Sequence, residues 1–269
     1  MRLLRESLES RGHVVTYFNN KIININEFDL SELKQMDVVY FWSGFNNVSQ
    51  FCIASILKDK YKIPIVNSAI LDNPLIRNKI FQIYTLRDTA IKIPKTIITK
   101  MLVHEEISKH IGQTYIGKVA QDSCKGRGVR LIHDQIELDK FNSEFLGREK
   151  LYQEYIPYDA DFRVNVIGGV SVSAFRRQLN EKDFRSDVSL VGQKIDDTEL
   201  LSKLFYLGEI VSREFIGAEN VGIDFIKHKK TGEIYFLEIN SLPFIEKKEN
   251  IGFDVANELA LYLERRYSK

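Results

Sequence analysis

Residues 221–243 constrain this chain more than any other stretch, because they predict a β-hairpin of defined register. The segment is VGIDFIKHKKTGEIYFLEINSLP, in which two apolar runs of period two flank Lys230-Thr231-Gly232. Gly232 suits the left-handed position of a three-residue turn. The sequence therefore predicts two antiparallel strands joined at this turn.

The predicted register brings polar side chains together on one face of the hairpin. A pair between Lys229 and Glu233 places Asp224 directly across from Glu238, and Asn240 lies two residues further along the second strand. Residues two apart in a strand share a face, so these three polar side chains are expected to converge. The opposite face is expected to pack on a core through the pairs Ile223–Ile239 and Phe225–Leu237.

The two facing carboxylates require a cation. At about 5 Å they repel by roughly 3 kcal/mol for an effective dielectric constant of about 20, whereas a favourable cross-strand pair contributes only about 0.2 to 1 kcal/mol. Oxygen ligands without a nearby His or Cys suit Mg²⁺ that also binds substrate phosphates. The alternative is a solvated hairpin in which Lys or Arg neighbours pair with Asp224 and Glu238.

Composition excludes several classes of protein. The chain has 269 residues and a net charge of +1, from 38 basic and 37 acidic residues, so no overall field attracts nucleic acid or a membrane surface. No apolar run approaches the roughly 18 residues of a membrane span. The only cysteines are Cys52 and Cys124, which favours a reducing compartment, and we expect a cytoplasmic protein.

The first part of the chain predicts a small α/β domain over residues 1–74. A helix over residues 2–11 ends at Gly12, and apolar runs at 13–18, 37–42 and 63–66 predict strands around a helix over 45–58. This alternation is typical of a parallel sheet. Such a domain normally opens with a strand, whereas this chain opens in a helix, so either the sheet has one strand fewer than usual or the true start lies upstream. A second copy of the chain is a candidate partner for an incomplete sheet.

Two further units are predicted, over residues 75–152 and 153–269. The first has a helix from Asn73-Pro74 to residue 88, helices over 104–111 and 135–145, and strands over 95–98, 115–119, 128–132 and 150–155. The second has strands over 161–167 and 170–179 joined at Gly168-Gly169, a helix over 196–216, the 221–243 hairpin and a closing helix over 252–266.

A lysine and a glycine-containing loop form a candidate anion site. Lys118 ends a predicted strand, and the loop over 120–127 reads AQDSCKGR. The loop leads into a strand and lacks GK[ST], which argues against a Walker loop. Its amides, from Ser123 to Gly128, could bind phosphate oxygens beside the Lys118 ammonium. The alternative is a solvated lysine at the end of a strand.

Two other segments carry candidate binding residues. The strand 153–157 reads QEYIP and offers backbone groups beside apolar walls, which an adenine edge requires. Arg163 and Arg177 differ by an even number and can share a face of neighbouring strands, an arrangement that suits carboxylate or phosphate. An ordinary strand end and a surface stripe of ion pairs are the respective alternatives.

Taken in order, these motifs resemble the ATP-grasp ligases, and are most similar to the RimK-type group of glutamate and amino-acid ligases. The resemblance covers residues 77–266. It rests on Gly222-Ile223-Asp224, on Leu237 to Pro243 (LEINSLP), on Gly252-Phe253-Asp254-Val255-Ala256, and on the segment from Arg177-Gln178 to Asp183-Phe184-Arg185-Ser186. The chain differs from the group at Asp187, at Val191-Gly192, and at Cys124 and Lys125.

The resemblance implies a role for each matching residue. Asp224, Glu238 and Asn240 would bind Mg²⁺, with Mn²⁺ as an alternative ion. Lys79 and Lys118 would contact ATP phosphates under a lid that includes Ser123, Gly126 and Gly128. Glu154 and Ile156 would face adenine, and Asp161 would lie near the nucleoside. Arg177 and Arg185 would bind the transferred phosphoryl group or the acceptor carboxylate.

The resemblance also implies a fold and an activity. We expect an ATP-grasp fold, in which two α+β subdomains enclose ATP, preceded by the small parallel-sheet domain. The implied reaction uses ATP to join a carboxylate to an amine through an acyl phosphate. It would add an amino acid such as glutamate to an amino acid, a peptide or a protein. The alternatives are an ATP-binding regulatory or scaffold protein without ligase activity, and a small-molecule kinase.

Overall fold

The computed structural model describes residues 2–17, 33–41, 48–121, 127–178, 192–241, 243 and 245–268. The helices are α1 (Arg2–Ser10), α2 (Val48–Asp59), α3 (Ala69–Asp72), α4 (Lys79–Leu86), α5 (His104–Ile111), α6 (Gln135–Glu144), α7 (Thr198–Glu214), α8 (Lys248–Ile251) and α9 (Val255–Tyr267). The strands are β1 (Thr96–Ile97), β2 (Tyr115–Val119), β3 (Val129–Ile132), β4 (Lys150–Glu154), β5 (Tyr158–Ile167), β6 (Val170–Arg177), β7 (Gln193–Lys194), β8 (Asn220–His228) and β9 (Ile234–Asn240). None of the helices described is long and apolar enough to span a bilayer.

The smaller sheet has four antiparallel strands in the order β1-β4-β2-β3. Tyr115 and Val119 of β2 belong to a buried cluster with Ile107 of α5 and Phe141 of α6. Because side chains alternate along a strand, Lys118 faces away from this cluster. The sheet continues through Glu154, so the predicted boundary at 152/153 falls inside β4.

The larger sheet has five antiparallel strands in the order β7-β6-β5-β8-β9. Phe162 and Val164 of β5, with their partners Phe225 and Ile223 of β8, belong to the main buried cluster. Helices α4 and α7 contribute to this cluster. Residues at the intervening positions point to the opposite face, and among them are Asp161, Arg163 and Asp224. One face of this sheet is therefore a core, and the other carries charge.

The β8–β9 hairpin confirms the polar pairing but corrects its derivation. Asp224 pairs with Glu238, as the sequence predicted. The loop is one residue longer than predicted, because the His228 N–H bonds to the Glu233 carbonyl at 2.8 Å. A register shift next to Phe225 then makes Phe236, and not Leu237, its partner. The bulge compensates for the longer loop, so the predicted register is restored at the polar residues.

Gly232 has a φ of 70°, which confirms its predicted left-handed conformation. The predicted turn at Gly168-Gly169 is also present, with positive φ at both glycines. Helix α7 begins after Asp197, whose side chain accepts from the Leu200 N–H as an N-cap. These local signals were readable because each depends on a few adjacent residues.

The N-terminal strands were predicted wrongly. Residues 13–17 form no strand, and residue 18 lies outside the described part of the chain. The predicted strands at 37–42 and 63–66 reduce, within the described residues, to one parallel bridge between Val39 and Ile65. The pairing is parallel as predicted. The apolar side chains of these segments pack as short connections on the main cluster and on a second cluster around α9.

Two helix boundaries differ from prediction because capping residues were overlooked. The helix predicted from Asn73 breaks at Asn78, which caps α4 by accepting from the Ile80 N–H at 2.9 Å. The closing helix α9 begins at Val255 and not at Gly252, because Asp254 caps it by accepting from the Asn257 N–H at 3.0 Å. The cap at Asn78 places Lys79 in the first turn of α4.

Candidate active site

Three oxygen-bearing side chains converge on the polar face of the β8–β9 hairpin. The Asn240 amide nitrogen lies 3.2 Å from Asp224 Oδ2 and 3.1 Å from Glu238 Oε1. The antiparallel pairing brings these residues together, since Asp224 faces Glu238 and Gly222 faces Asn240. The convergence that the sequence predicted is therefore confirmed.

Two arginines from the neighbouring strands surround Asp224, which is 2% exposed. Arg163 on β5 donates through Nε to Asp224 Oδ1 and through Nη2 to Oδ2, the latter at 3.0 Å. Arg177 on β6 places Nη2 3.2 Å from Asp224 Oδ2 and donates to Asp161 Oδ1 from Nη2 at 2.6 Å and from Nε at 2.9 Å. Burial lowers the pKa of Arg177, but Asp224 and Asp161 raise it above its ordinary value. Arg177 therefore stays charged.

Lys79 enters the site from helix α4. Its ammonium lies 3.2 Å from Glu238 Oε2, and the lysine side chain is 9% exposed. Burial raises the pKa of Glu238, but the charge of Lys79, the hydrogen bond from Asn240 and the charge of Lys118 lower it to about 2. Glu238 is therefore a carboxylate at neutral pH, held between cations.

Lys118 approaches from the smaller sheet. Its ammonium donates to the side-chain oxygen of Gln153, whose amide nitrogen donates to Thr96 Oγ1 at 2.9 Å. Burial lowers the pKa of Lys118 to about 8, an effect that Glu238 opposes and Lys79 reinforces. Lys118 is thus still protonated at pH 7 but poorly solvated. A buried ammonium of this kind favours an anionic ligand.

Gln82 is a site residue that the sequence reasoning missed. It is 2% exposed on α4, one turn after Lys79. Its amide nitrogen donates to the Ile239 carbonyl at 3.1 Å, and its oxygen accepts from the Ile239 N–H, also at 3.1 Å. Ile239 lies between Glu238 and Asn240 on β9, the edge strand of the larger sheet. The Gln82 side chain thus makes the two backbone hydrogen bonds that a neighbouring strand would make at this edge. These bonds hold α4 against the acidic hairpin.

Replacing Gln82 by Met is expected to lower the free energy of unfolding by about 1 to 3 kcal/mol, because it leaves both backbone groups of Ile239 without their partner. Urea denaturation measures the change. Gln113→Met is the matched control, since Gln113 is exposed and should change stability by less than about 0.5 kcal/mol. Equal stability of the two variants would contradict the role assigned to Gln82.

The remaining predicted binding residues fall into two groups. Glu154 ends β4 and accepts from the Lys95 N–H at 3.2 Å, while Ile156 is buried in the connection between the two sheets. The carbonyl of Gly128, the last residue of the β2–β3 loop, accepts from the N–H of Val119, the last residue of β2, at 2.8 Å. Their contacts with a nucleotide stay a prediction. Three predicted residues lie outside the described part of the chain: Ser123, Gly126 and Arg185.

The hairpin fits a hard divalent cation by its donor chemistry. Two carboxylates and one amide face a common point, and turning the Asn240 amide by 180° presents Oδ1 to that point. Among the described residues no group of three or more His, Cys, Asp and Glu side chains could hold a metal, so a site of the zinc type is not formed there. A set of few oxygen ligands is typical of Mg²⁺ bound together with substrate phosphates.

Two antiparallel α+β units, with Lys118 of the smaller sheet and Lys79 of α4 close to the Glu238 carboxylate of the larger sheet, are typical of an ATP-grasp protein. Residues 76–263 match the model of the RimK-like ATP-grasp domain, and the chain belongs to that family. The family and the fold class that the sequence motifs indicated are both confirmed.

The chain is similar to curated proteins named as glutamate ligases. It is 26% identical over 290 residues to "Probable alpha-L-glutamate ligase 1" of Shewanella sp. (strain ANA-3), covering 99% of this chain and 92% of that protein. It is 36% identical over 120 residues to "Probable alpha-L-glutamate ligase" of Xanthomonas oryzae pv. oryzae (strain MAFF 311018). That match covers 43% of this chain and 39% of the relative, so the aligned segment spans less than half of that protein.

Solved structures share the fold. The ATP-grasp ligase PsnB, complexed with a minimal precursor, superposes with a TM-score of 0.72 over 98% of this chain and 94% of that one, at 18% identity. PsnB complexed with a phosphomimetic variant of the minimal precursor, Mg and ADP gives a TM-score of 0.71 over 99% and 94%, at 16% identity. At these identities the likeness concerns the fold alone.

Proposed function

We propose that this chain is an ATP-dependent ligase that joins a carboxylate to an amine through an acyl phosphate. The observation that carries the proposal is the convergence of Asp224, Glu238 and Asn240 with Lys79, while Lys118 is close enough to Glu238 for each to shift the pKa of the other. Family membership and the names of the relatives support it.

The reaction requires two transfers. A carboxylate oxygen of the substrate attacks the γ-phosphorus of ATP, and the bond to ADP breaks. The nitrogen of a neutral amine then attacks the acyl carbon, phosphate leaves, and the nitrogen loses one proton. Both steps bring anions together or develop negative charge, so a site of this type acts mainly by positioning and by neutralising charge.

The residues of the site have the chemistry for these tasks. Lys79 and Lys118 would bind phosphate oxygens, and Arg177 would bind the transferred phosphoryl group or a carboxylate. Glu238, Asn240 and Asp224 would hold Mg²⁺. When bound, Mg²⁺ neutralises charge on the phosphates. The carboxyl end of β4 and residue 156 would receive the adenine, between the two sheets.

The proposed substrates are an amino acid such as glutamate and an amino acid, peptide or protein that receives it. The relatives in Shewanella and Xanthomonas are named as glutamate ligases, and PsnB was solved with the precursor peptide PsnA2. The names of the relatives carry the choice of an acidic substrate, because the guanidinium groups of Arg163 and Arg177 are already paired with Asp224 and Asp161.

The test is ADP release with Mg-ATP, glutamate and a panel of amino-acid and peptide acceptors, with mass spectrometry of the products. A ligase forms ADP only when both substrates are present, and yields an amide in equal amount. A kinase yields a stable phosphorylated product. Nucleotide binding without turnover across the panel supports a regulatory protein instead, and absence of any Mg-ATP binding by calorimetry contradicts every nucleotide-dependent proposal.

A further inference from the structure

The oxygens of Asp224 are already occupied by protein cations. Arg163 donates to both of them, Arg177 lies 3.2 Å from Oδ2, and the Asn240 amide lies 3.2 Å from the same atom. The Asp224 side chain is 3% exposed, and that of Arg163 is 13% exposed. A metal ion that uses Asp224 as a ligand must therefore compete with an arginine.

The two arginines differ in what else they bind. Arg177 makes two hydrogen bonds to Asp161 and would keep them if it lost Asp224. Both side-chain hydrogen bonds that Arg163 makes within the described part of the chain go to Asp224. Arg163 is therefore the residue whose position depends on whether the Asp224 oxygens are available.

The fold makes room for this arrangement of Arg163. The residue faces Asp224 across the β5–β8 pair, and its side chain lies over Gly222. A Cβ atom at Gly222 would be 2.7 Å from Arg163 Nη1 and 2.8 Å from its Cδ. A side chain at residue 222 would thus displace the guanidinium, and glycine at this position is compatible with the pairing of Arg163 and Asp224.

We infer that Arg163 is an internal counter-cation that competes with the metal for Asp224 and thereby couples metal binding to nucleotide binding. The inference rests on the proposed function, in which Asp224 is a metal ligand. Without nucleotide, the arginine neutralises the carboxylate and weakens metal binding. With nucleotide bound, the phosphates offer the displaced guanidinium another anionic partner. The free energy required to separate Arg163 from Asp224 is then smaller. Metal and nucleotide then bind cooperatively.

The test measures the affinity for Mn²⁺ in the absence and in the presence of ADP. Electron paramagnetic resonance gives the concentration of free Mn²⁺, from which the dissociation constant follows. Arg163→Gln is expected to bind Mn²⁺ alone about tenfold tighter than the unsubstituted chain, and the gain in Mn²⁺ affinity on adding ADP should shrink by a similar factor. Arg163→Lys keeps the charge but cannot contact both oxygens as a planar fork does, so an intermediate shift is expected.

Arg176→Met is the matched control, because Arg176 is the exposed neighbour of Arg177 and donates to the Asp159 carbonyl. Its Mn²⁺ affinity should match that of the unsubstituted chain. Thermal unfolding checks that each variant is folded. Unchanged or weaker Mn²⁺ binding by folded Arg163→Gln and Arg163→Lys would overturn the inference and leave the proposed function standing. Failure of the unsubstituted chain to bind Mn²⁺ with ADP would instead contradict the proposed function itself, and the inference with it.

Discussion

Replacing Glu238 by Gln is expected to lower kcat/KM for ATP turnover by at least about a thousandfold, a loss at the upper end of those seen when one charge-stabilising group is removed. The substitution keeps the shape of the side chain but removes its charge. It would weaken a metal ligand and leave the Lys79 ammonium, 3.2 Å away, without its carboxylate partner. Steady-state ADP formation measures the loss, and calorimetric titration with Mg-ADP shows whether binding is lost as well.

The control for this prediction is Glu233→Gln on the same hairpin. Glu233 pairs with Lys92 at the surface, where its side chain is 37% exposed. Surface ion pairs contribute little to stability. Glu233 precedes β9, at the end of the hairpin opposite to Asn240, so activity should be unchanged. If Glu238→Gln kept its activity within about tenfold of the parent, a range seen for residues outside the ligand shell, Glu238 would not be a metal ligand.

Replacing Lys118 by Met is expected to lower kcat/KM for ATP by about a hundredfold to a thousandfold, without loss of stability. Burial lowers the pKa of Lys118 to about 8. A lysine with a lower pKa in the folded chain than in the unfolded chain destabilises the fold while it is protonated. Removing the buried charge should offset the loss of the hydrogen bond to Gln153 and leave the urea midpoint equal or higher, while the substrate phosphates lose their cation.

The combination of these two readouts separates a binding role from a structural one. If Lys118 only stabilised the smaller sheet, the Lys118→Met variant would lose stability and activity together. Lys140→Met on the exposed side of α6 is the control, and both of its readouts should match the unsubstituted chain. Full activity of Lys118→Met would show that the ammonium does not contact phosphate.

The acidic hairpin could be predicted because its information is local. Alternation with period two and a glycine in the turn predicted the hairpin itself, with Asp224 and Glu238 on the same face. The bulge opposite Phe225 could not be predicted, since it depends on how β9 packs against α4 and the core. The prediction succeeded at the polar residues because the longer loop and the bulge shift the register by equal and opposite amounts.

The charged partners of the hairpin could not be read from spacing. Lys79 reaches Glu238 from a helix 159 positions earlier, and Arg163 faces Asp224 only because β5 pairs with β8. Periodicity predicts that a strand exists, but the choice of partner strand depends on the whole fold. Family resemblance indicated Lys79, whereas no local signal indicated the edge contact of Gln82 with Ile239.

The N-terminal strands were predicted from local composition, but most of their described residues do not form a sheet. Short apolar runs at 37–42 and 63–66 have the composition of buried strands, and periodicity alone cannot separate a strand from a buried connection. In the structure Val39 and Ile65 form a single bridge, and their neighbours pack against the two large clusters. Ile63, Ile65 and Val66 are buried, whereas residues 38–41 are only half-buried. The parallel direction was predicted correctly, but the extent of the strands was not.

A crystal structure with Mg²⁺ and a non-hydrolysable ATP analogue tests the central claim most directly. We expect Mg²⁺ at about 2.0 to 2.2 Å from oxygens of Glu238 and Asn240, with Asp224 as a third ligand. We expect phosphate oxygens at about 3 Å from the ammonium groups of Lys79 and Lys118. A nucleotide bound elsewhere, or phosphates that contact neither lysine, would contradict the proposed ATP site.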